Sequence, residues 1–269
     1  MNVFSMEVRN LRKSALVSTL SIGSAIFAML AFFPAMQTES MQALAGAKLE
    51  GIDPALLAAL GLSELVDFTV ITNFFGYVLQ FITLAIMVTV TQRAVGLLTK
   101  EEADGTIEYL CAKPVSRTEI FCQKGLAHVV LFLAASVVWT IVTVAGYLLF
   151  SEYAFGEAVK EAAVFFSAIF LIGIIFSAVG VLLSALLKNG RATAGVALAI
   201  VFGSFILGMM SVTVSGLDFL IWFSPMDWIK TAKLMSAGIL WQEWLVGTGV
   251  ILCGITAAWL RYRKKDLLV

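Results

Sequence analysis

The sequence predicts an all-α integral membrane protein, a single domain over residues 1–269 with six transmembrane helices and both termini in the cytoplasm. Three observations predict it. Sixty per cent of the 269 residues are hydrophobic and only 13% charged, with a mean hydropathy of +0.96, far from the roughly half-apolar, quarter-charged balance of soluble domains. Six apolar runs, near 14–34, 70–91, 125–150, 162–187, 192–214 and 244–260, are long enough to cross a hydrocarbon core of about 30 Å. With the N-terminus inside, fourteen of the eighteen Lys and Arg residues fall on the cytoplasmic side, leaving Lys48, Lys160, Lys230 and Lys233 outside. Orientation follows that bias rather than the net charge, which is zero.

Taken in order, residues 1–13 set Val3, Phe4, Met6, Val8 and Leu11 among Arg9, Arg12 and Lys13. This is the pattern of an amphipathic helix lying in the headgroup plane with its basic side chains snorkelling. The first apolar run is long and lacks a small-x-small cleavage site, so it is expected to be a span and not a signal peptide. The external region up to Phe68 is acidic, with an Asp53-Pro54 helix start. It is too short to bury a core of its own. The second span carries Asn73, Gln80, Thr83, Thr89 and Thr91 between aromatic residues; such groups either face protein or water, or bond their own backbone.

Between the second and third spans lies a dense run of charge, Lys100-Glu-Glu-Ala-Asp-Gly-Thr-Ile-Glu-Tyr-Leu-Cys-Ala-Lys-Pro-Val-Ser-Arg-Thr-Glu119, continuing to Lys124. Asp104-Gly105 is a turn signal. Thr106 can cap a short helix with Glu108 in its first turn, favourable at the positive end of the helix dipole. Ile107, Leu110 and Cys111 fall on one face at i, i+3 and i+4, and Pro114 ends the helix. Ser116 to Glu119 then reads as a capping box for the third span. A short rod over 107–113, bracketed by Gly105 and Pro114, is the expected result.

The remaining segments carry less chemistry. His128, the chain's single histidine, has no acid in its span to form a relay. The fifth span pairs Ala199 with Gly203 and Ser204 with Gly208, a spacing that permits close helix approach. Residues 215–243 are too interrupted to cross but rich in Trp and Phe, predicting two short interfacial or re-entrant helices hinged at Ser224-Pro225. Cys111, Cys122 and Cys253 match no metal-site spacing and are expected to be packing residues. There is no phosphate-binding loop, zinc-protease motif or nucleophile elbow, no acid inside the six runs, and nothing that points to nucleic acid. A pathway without its own energy source is what these residues describe.

The run Glu101-Glu-Ala-Asp-Gly-Thr-Ile-Glu-Tyr-Leu110, followed by Lys113-Pro-Val-Ser-Arg117 and Lys124, resembles the loop signature of ABC-2 type permeases, and the basic tail ending in Asp266-Leu267 is similar to theirs. The resemblance implies a permease subunit with no ATPase site of its own. ATP and magnesium would sit on a separate cytoplasmic ATPase subunit, and a second permease copy or sister subunit would complete the transporter in the plasma membrane. It further implies a coupling element comprising Glu101, Glu102, Gly105, Thr106, Ile107, Glu108, Leu110, Pro114, Arg117 and Lys124. It assigns an elbow helix to the segment with Arg9, Arg12 and Lys13, and places Phe74, Phe81, Phe202 and Phe205 near a path at the dimer axis. The aromatic, acid-free spans suit export of a hydrophobic or amphipathic compound such as a drug, peptide or lipid. The alternative from another class is a non-pumping scaffold or immunity protein that sequesters a membrane-active peptide.

Overall fold

The computed structural model describes residues 3–38, 67–106, 115–187 and 192–265. Its six long apolar helices are α1 (Val3–Ala31), α3 (Ile71–Gly96), α5 (Arg117–Phe150), α6 (Phe155–Leu186), α7 (Thr193–Thr213) and α9 (Trp241–Lys264). Shorter helices are α2 (Phe33–Met36), α4 (Lys100–Ala103) and α8 (Thr231–Ser236). Each expected apolar run lies within or across one of the six. Most are longer than the run, because the helices continue past the hydrocarbon into charged sequence. The 34 residues of α5 span about 51 Å at 1.5 Å per residue, well beyond the bilayer core.

Helix α6 is the most enclosed and packs against α3, α5 and α9, while α1 lies along α5. Lipid tails are as apolar as these side chains, so shape and interhelical hydrogen bonds hold the bundle together. Phe132 stacks on Phe170 at 5.1 Å between α5 and α6. Trp139 of α5 donates its indole N–H to the Thr19 carbonyl of α1 at 3.0 Å. At Gly180, α6 touches α3 so closely that an added Cβ would stand 2.7 Å from the Ala94 methyl and 3.2 Å from the Thr91 carbonyl oxygen. His128 is buried and shares a 2.9 Å hydrogen bond with Ser177, a satisfied core residue.

Two expectations are corrected here. Helix α1 runs without a break through Lys13, so Arg9, Arg12 and Lys13 are exposed residues in its first turns and do not form a separate elbow lying across the bundle. Nothing between Val3 and Lys13 breaks a helix, and Val3 and Glu7 are buried, Val3 against Ile120 at the start of α5. Cys122 and Cys253 are exposed on the helix surfaces, not packed inside. The expected helix start at Asp53-Pro54, the rod over 107–113 and Cys111 lie outside the described residues.

The segment between α7 and α9 folds as expected into short pieces hinged at Ser224-Pro225: 3-10 turns at Asp218–Phe223 and Pro225–Ile229, then α8. Polar contacts fix it against the bundle. Ser204 of α7 donates to the Phe223 carbonyl at 2.7 Å, and buried Asp227 accepts from Ser224 and pairs with Lys230 at 2.5 Å. Lys233 pairs with Glu243 of α9. At the same end, Thr72 and Tyr153 donate to the Glu161 carboxylate at 2.6 and 3.1 Å, and burial holds the Tyr153 hydroxyl above its ordinary range. Asp67, ahead of α3, accepts from the Thr69 hydroxyl and amide, which keeps its carboxyl below the usual range.

Candidate functional site

The opposite, basic end of the bundle holds the charged loop. Helix α3 ends at Gly96, a turn follows, and α4 supplies one turn of helix at Lys100–Ala103. The helical turn ends at Gly105, whose φ of 67° is a left-handed conformation that costs a residue with a Cβ roughly 1–2 kcal/mol. The Thr106 amide closes the turn on the Glu101 carbonyl at 2.9 Å. The chain re-enters the described structure at Val115, where Ser116 caps α5 by accepting from the Glu119 amide at 3.1 Å. Glu119 does not return the bond within the expected capping box; its carboxylate accepts from Gln123 at 2.8 Å.

The two limbs of this loop are joined at their base by Lys124. This α5 lysine is 1% exposed, and its ammonium donates to the Leu97 carbonyl at 2.7 Å and to Glu101 Oε1 at 2.5 Å. Glu7 of α1 approaches the same ammonium at 3.6 Å. One cation thereby ties the end of α3, the first turn of α4 and the start of α1 to α5. Two carboxylates on one buried ammonium supply the compensation that a buried charge requires.

A second set of contacts extends the joint to the C-terminal end. Lys265 donates to Glu102 Oε2 and to the Leu187 carbonyl at the end of α6, both at 2.9 Å. Arg117 donates to the Lys265 and Arg263 carbonyls at 2.6 and 3.3 Å, and Trp259 to the Thr118 hydroxyl at 3.2 Å. The Leu98 amide donates to Ser184 of α6 at 2.9 Å, and the Phe4 amide to Gln123 at 3.0 Å. The ends of α1, α3, α4, α5, α6 and α9 form one polar clamp, and the two described chain ends meet in it. Among the described residues no catalytic constellation is formed; this arrangement can transmit a displacement, because six helix ends move together or the buried charges separate.

A family model for an ABC-2 family transporter protein matches residues 1–267. The chain belongs to that family. It is a multi-pass membrane permease of the kind that associates with an ABC ATPase. Comparison with curated proteins yields no match.

Within this ABC-2 protein the loop residues singled out in the sequence divide sharply. Glu101 and Lys124 are buried, and Glu102 is held by Lys265 with its side chain only 3% exposed. They therefore form the joint's interior and not an open docking face. Gly105, Thr106 and Arg117 are exposed, whereas Ile107, Glu108, Leu110 and Pro114 lie outside the described residues. Of the four aromatic residues expected on a path, Phe81 and Phe202 are exposed and Phe205 half-buried. Phe74 is packed in the protomer core, its ring 5.7 Å from that of Phe33, and offers no free surface. Sequence reasoning missed Glu7, Arg93 and Lys265. A signal for Glu7 was present, since it is the sole acid in the first 38 residues, set among the basic residues of that segment.

Proposed function

We propose that this chain is the membrane subunit of an exporter for hydrophobic or amphipathic compounds, driven by a separate cytoplasmic ATPase. The observation that carries the reading is the Lys124 joint. Lys124 lies at the far end of the charged loop and bonds Leu97 and Glu101 at its near end, with Glu7 of α1 on the same ammonium. A push on the loop tip would reach α1, α3, α4 and α5 together instead of being absorbed by loose chain. The positive-inside bias supports a cytoplasmic location for this end, where an ATPase is available to dock on the tip at 107–114. Two permease subunits would enclose the path, with Phe81, Phe202 and Phe205 as its apolar lining.

The test is reconstitution. Co-expression with the ATPase encoded beside the gene should give a complex that moves an amphipathic dye across vesicles in an ATP-dependent way. If no ATPase co-purifies, or hydrolysis proceeds with no movement of any amphipathic probe, the reading is wrong.

A further inference from the structure

At the basic end, the surfaces of α1 and α3 leave a cavity of about 270 Å³ walled in part by Ser14, Gln92, Arg93, Lys100, Asp104 and Thr193. Arg93 sits in the last turn of a span, two turns before the charged loop begins. Its guanidinium donates to the Ser14 carbonyl at 2.9 Å and the Ser18 hydroxyl at 2.5 Å. Both acceptors are neutral, its Nε is buried without a partner, and no carboxylate pairs with it among the described residues. Lys100 on the rim is also without an ion pair among those residues. A half-buried guanidinium at the membrane boundary favours a counter-charge.

The acids in the wall do not supply it. Glu7 is already turned to Lys124 at 3.6 Å, and Asp104 stands on the exposed rim and pairs with nothing among the described residues. They do shape what would fit. Asp104 on the rim and the buried Glu7 behind the wall disfavour a dianion and leave room for a singly charged phosphodiester.

An exposed stripe runs on along α1 from Ser14 in the cavity wall. Ser21, Ala25 and Ala28 follow Ser14 and Ser18 along one face of α1 at three- and four-residue steps, and all three are exposed. Their small side chains make this a shallow trough along the spanning part of α1. On α3, Ala85 and Phe81 are likewise exposed. A cationic pocket at the water boundary with a trough leading into the hydrocarbon matches one ligand chemistry: a phosphodiester headgroup carrying an acyl chain.

We propose that Arg93 and Lys100 form a headgroup site for a phospholipid of the adjoining leaflet, with an acyl chain lying along Ser21, Ala25 and Ala28. The site is independent of what the protein transports.

Native mass spectrometry of the full-length chain in detergent tests this with four probes: phosphatidylglycerol, its deacylated glycerophosphoglycerol, diacylglycerol and inorganic phosphate. Phosphatidylglycerol should bind best. Arg93→Gln should weaken it by about tenfold, the size of one charge-assisted contact, and Lys100→Gln, on the rim where folding is not at risk, by roughly fivefold. Ser21→Trp, which fills the trough, should weaken the lipid while leaving glycerophosphoglycerol unchanged. Equal binding of inorganic phosphate or glycerophosphoglycerol would make this a free-phosphate site and overturn the lipid assignment. Equal binding of diacylglycerol, unchanged affinity in Lys100→Gln, or exclusion of every probe by a second copy of the chain would overturn it as well.

Discussion

Lys124→Met offers the most direct test of the buried joint. Methionine keeps the length and apolar bulk of lysine but removes the ammonium, leaving the Leu97 carbonyl without its 2.7 Å donor and Glu7 and Glu101 without the cation between them. Lys124 is 1% exposed and Glu7 2%, so water cannot readily replace the lost contacts. Removing one partner of a buried ion pair costs about 3–5 kcal/mol, and here two carboxylates are stranded by one substitution. The joint lies at the membrane boundary, where some hydration can recover part of this, so a loss of about 3 kcal/mol is expected. Unfolding of the purified full-length chain in mixed micelles, followed by helix content against a denaturing detergent, measures it. Adding Glu7→Gln and Glu101→Gln to Lys124→Met should restore most of the loss, because a neutral joint strands no charge. A loss below about 1 kcal/mol, the level of an exposed pair, would refute the reasoning. So would a triple variant no more stable than Lys124→Met alone.

Further outcomes follow from particular contacts. Gly180→Val should destabilise the bundle by roughly 1–3 kcal/mol in the same assay, since its Cβ would meet Ala94 and the Thr91 carbonyl; Gly203→Ala, with open space at its Cβ, should be near neutral. Gly105→Val should uncouple ATP hydrolysis from transport in the reconstituted complex without impairing membrane insertion, because the φ of 67° and not local crowding is what it violates. Glu108→Lys is expected to do the same by reversing a charge within the loop, and normal coupling in both variants would displace the coupling role from this loop. Arg117→Ala should loosen the C-terminal end from α5 by removing both carbonyl contacts, raising hydrogen exchange around 260–265 while leaving the Lys124 joint protected.

The broken loop was legible because its punctuation is local. Asp104-Gly105 does form a turn that ends α4 and Ser116 does cap α5, since a turn or a cap depends on a few neighbouring residues. The same residues misled about exposure. Charged Glu101, Glu102 and Lys124 suggest a solvated surface when read along the chain, yet they are paired with one another and with Glu7 and Lys265 inside the joint. Arg93 reads as one more positive-inside residue, and only the placement of α1 gives its guanidinium neutral acceptors and a cavity. The elbow was misread for a related reason: an amphipathic segment that packs on a neighbouring helix has the same pattern as one that lies on lipid.

The sequence by itself determined the six spans, the clustering of basic residues at one end and the interruptions that shape the charged loop. Each of these depends on hydrophobic length, charge bias or short-range backbone preference, all of which are written in contiguous residues. Only the tertiary structure decided which helix ends meet. The contacts of Lys124 with Leu97 and Glu7, and of Lys265 with Glu102 and Leu187, join residues separated by 27 to 163 positions. No periodicity along one helix specifies them. They arise when α1, α5 and α9 are packed so that buried charges can be compensated, and that packing turns a charged loop into a joint.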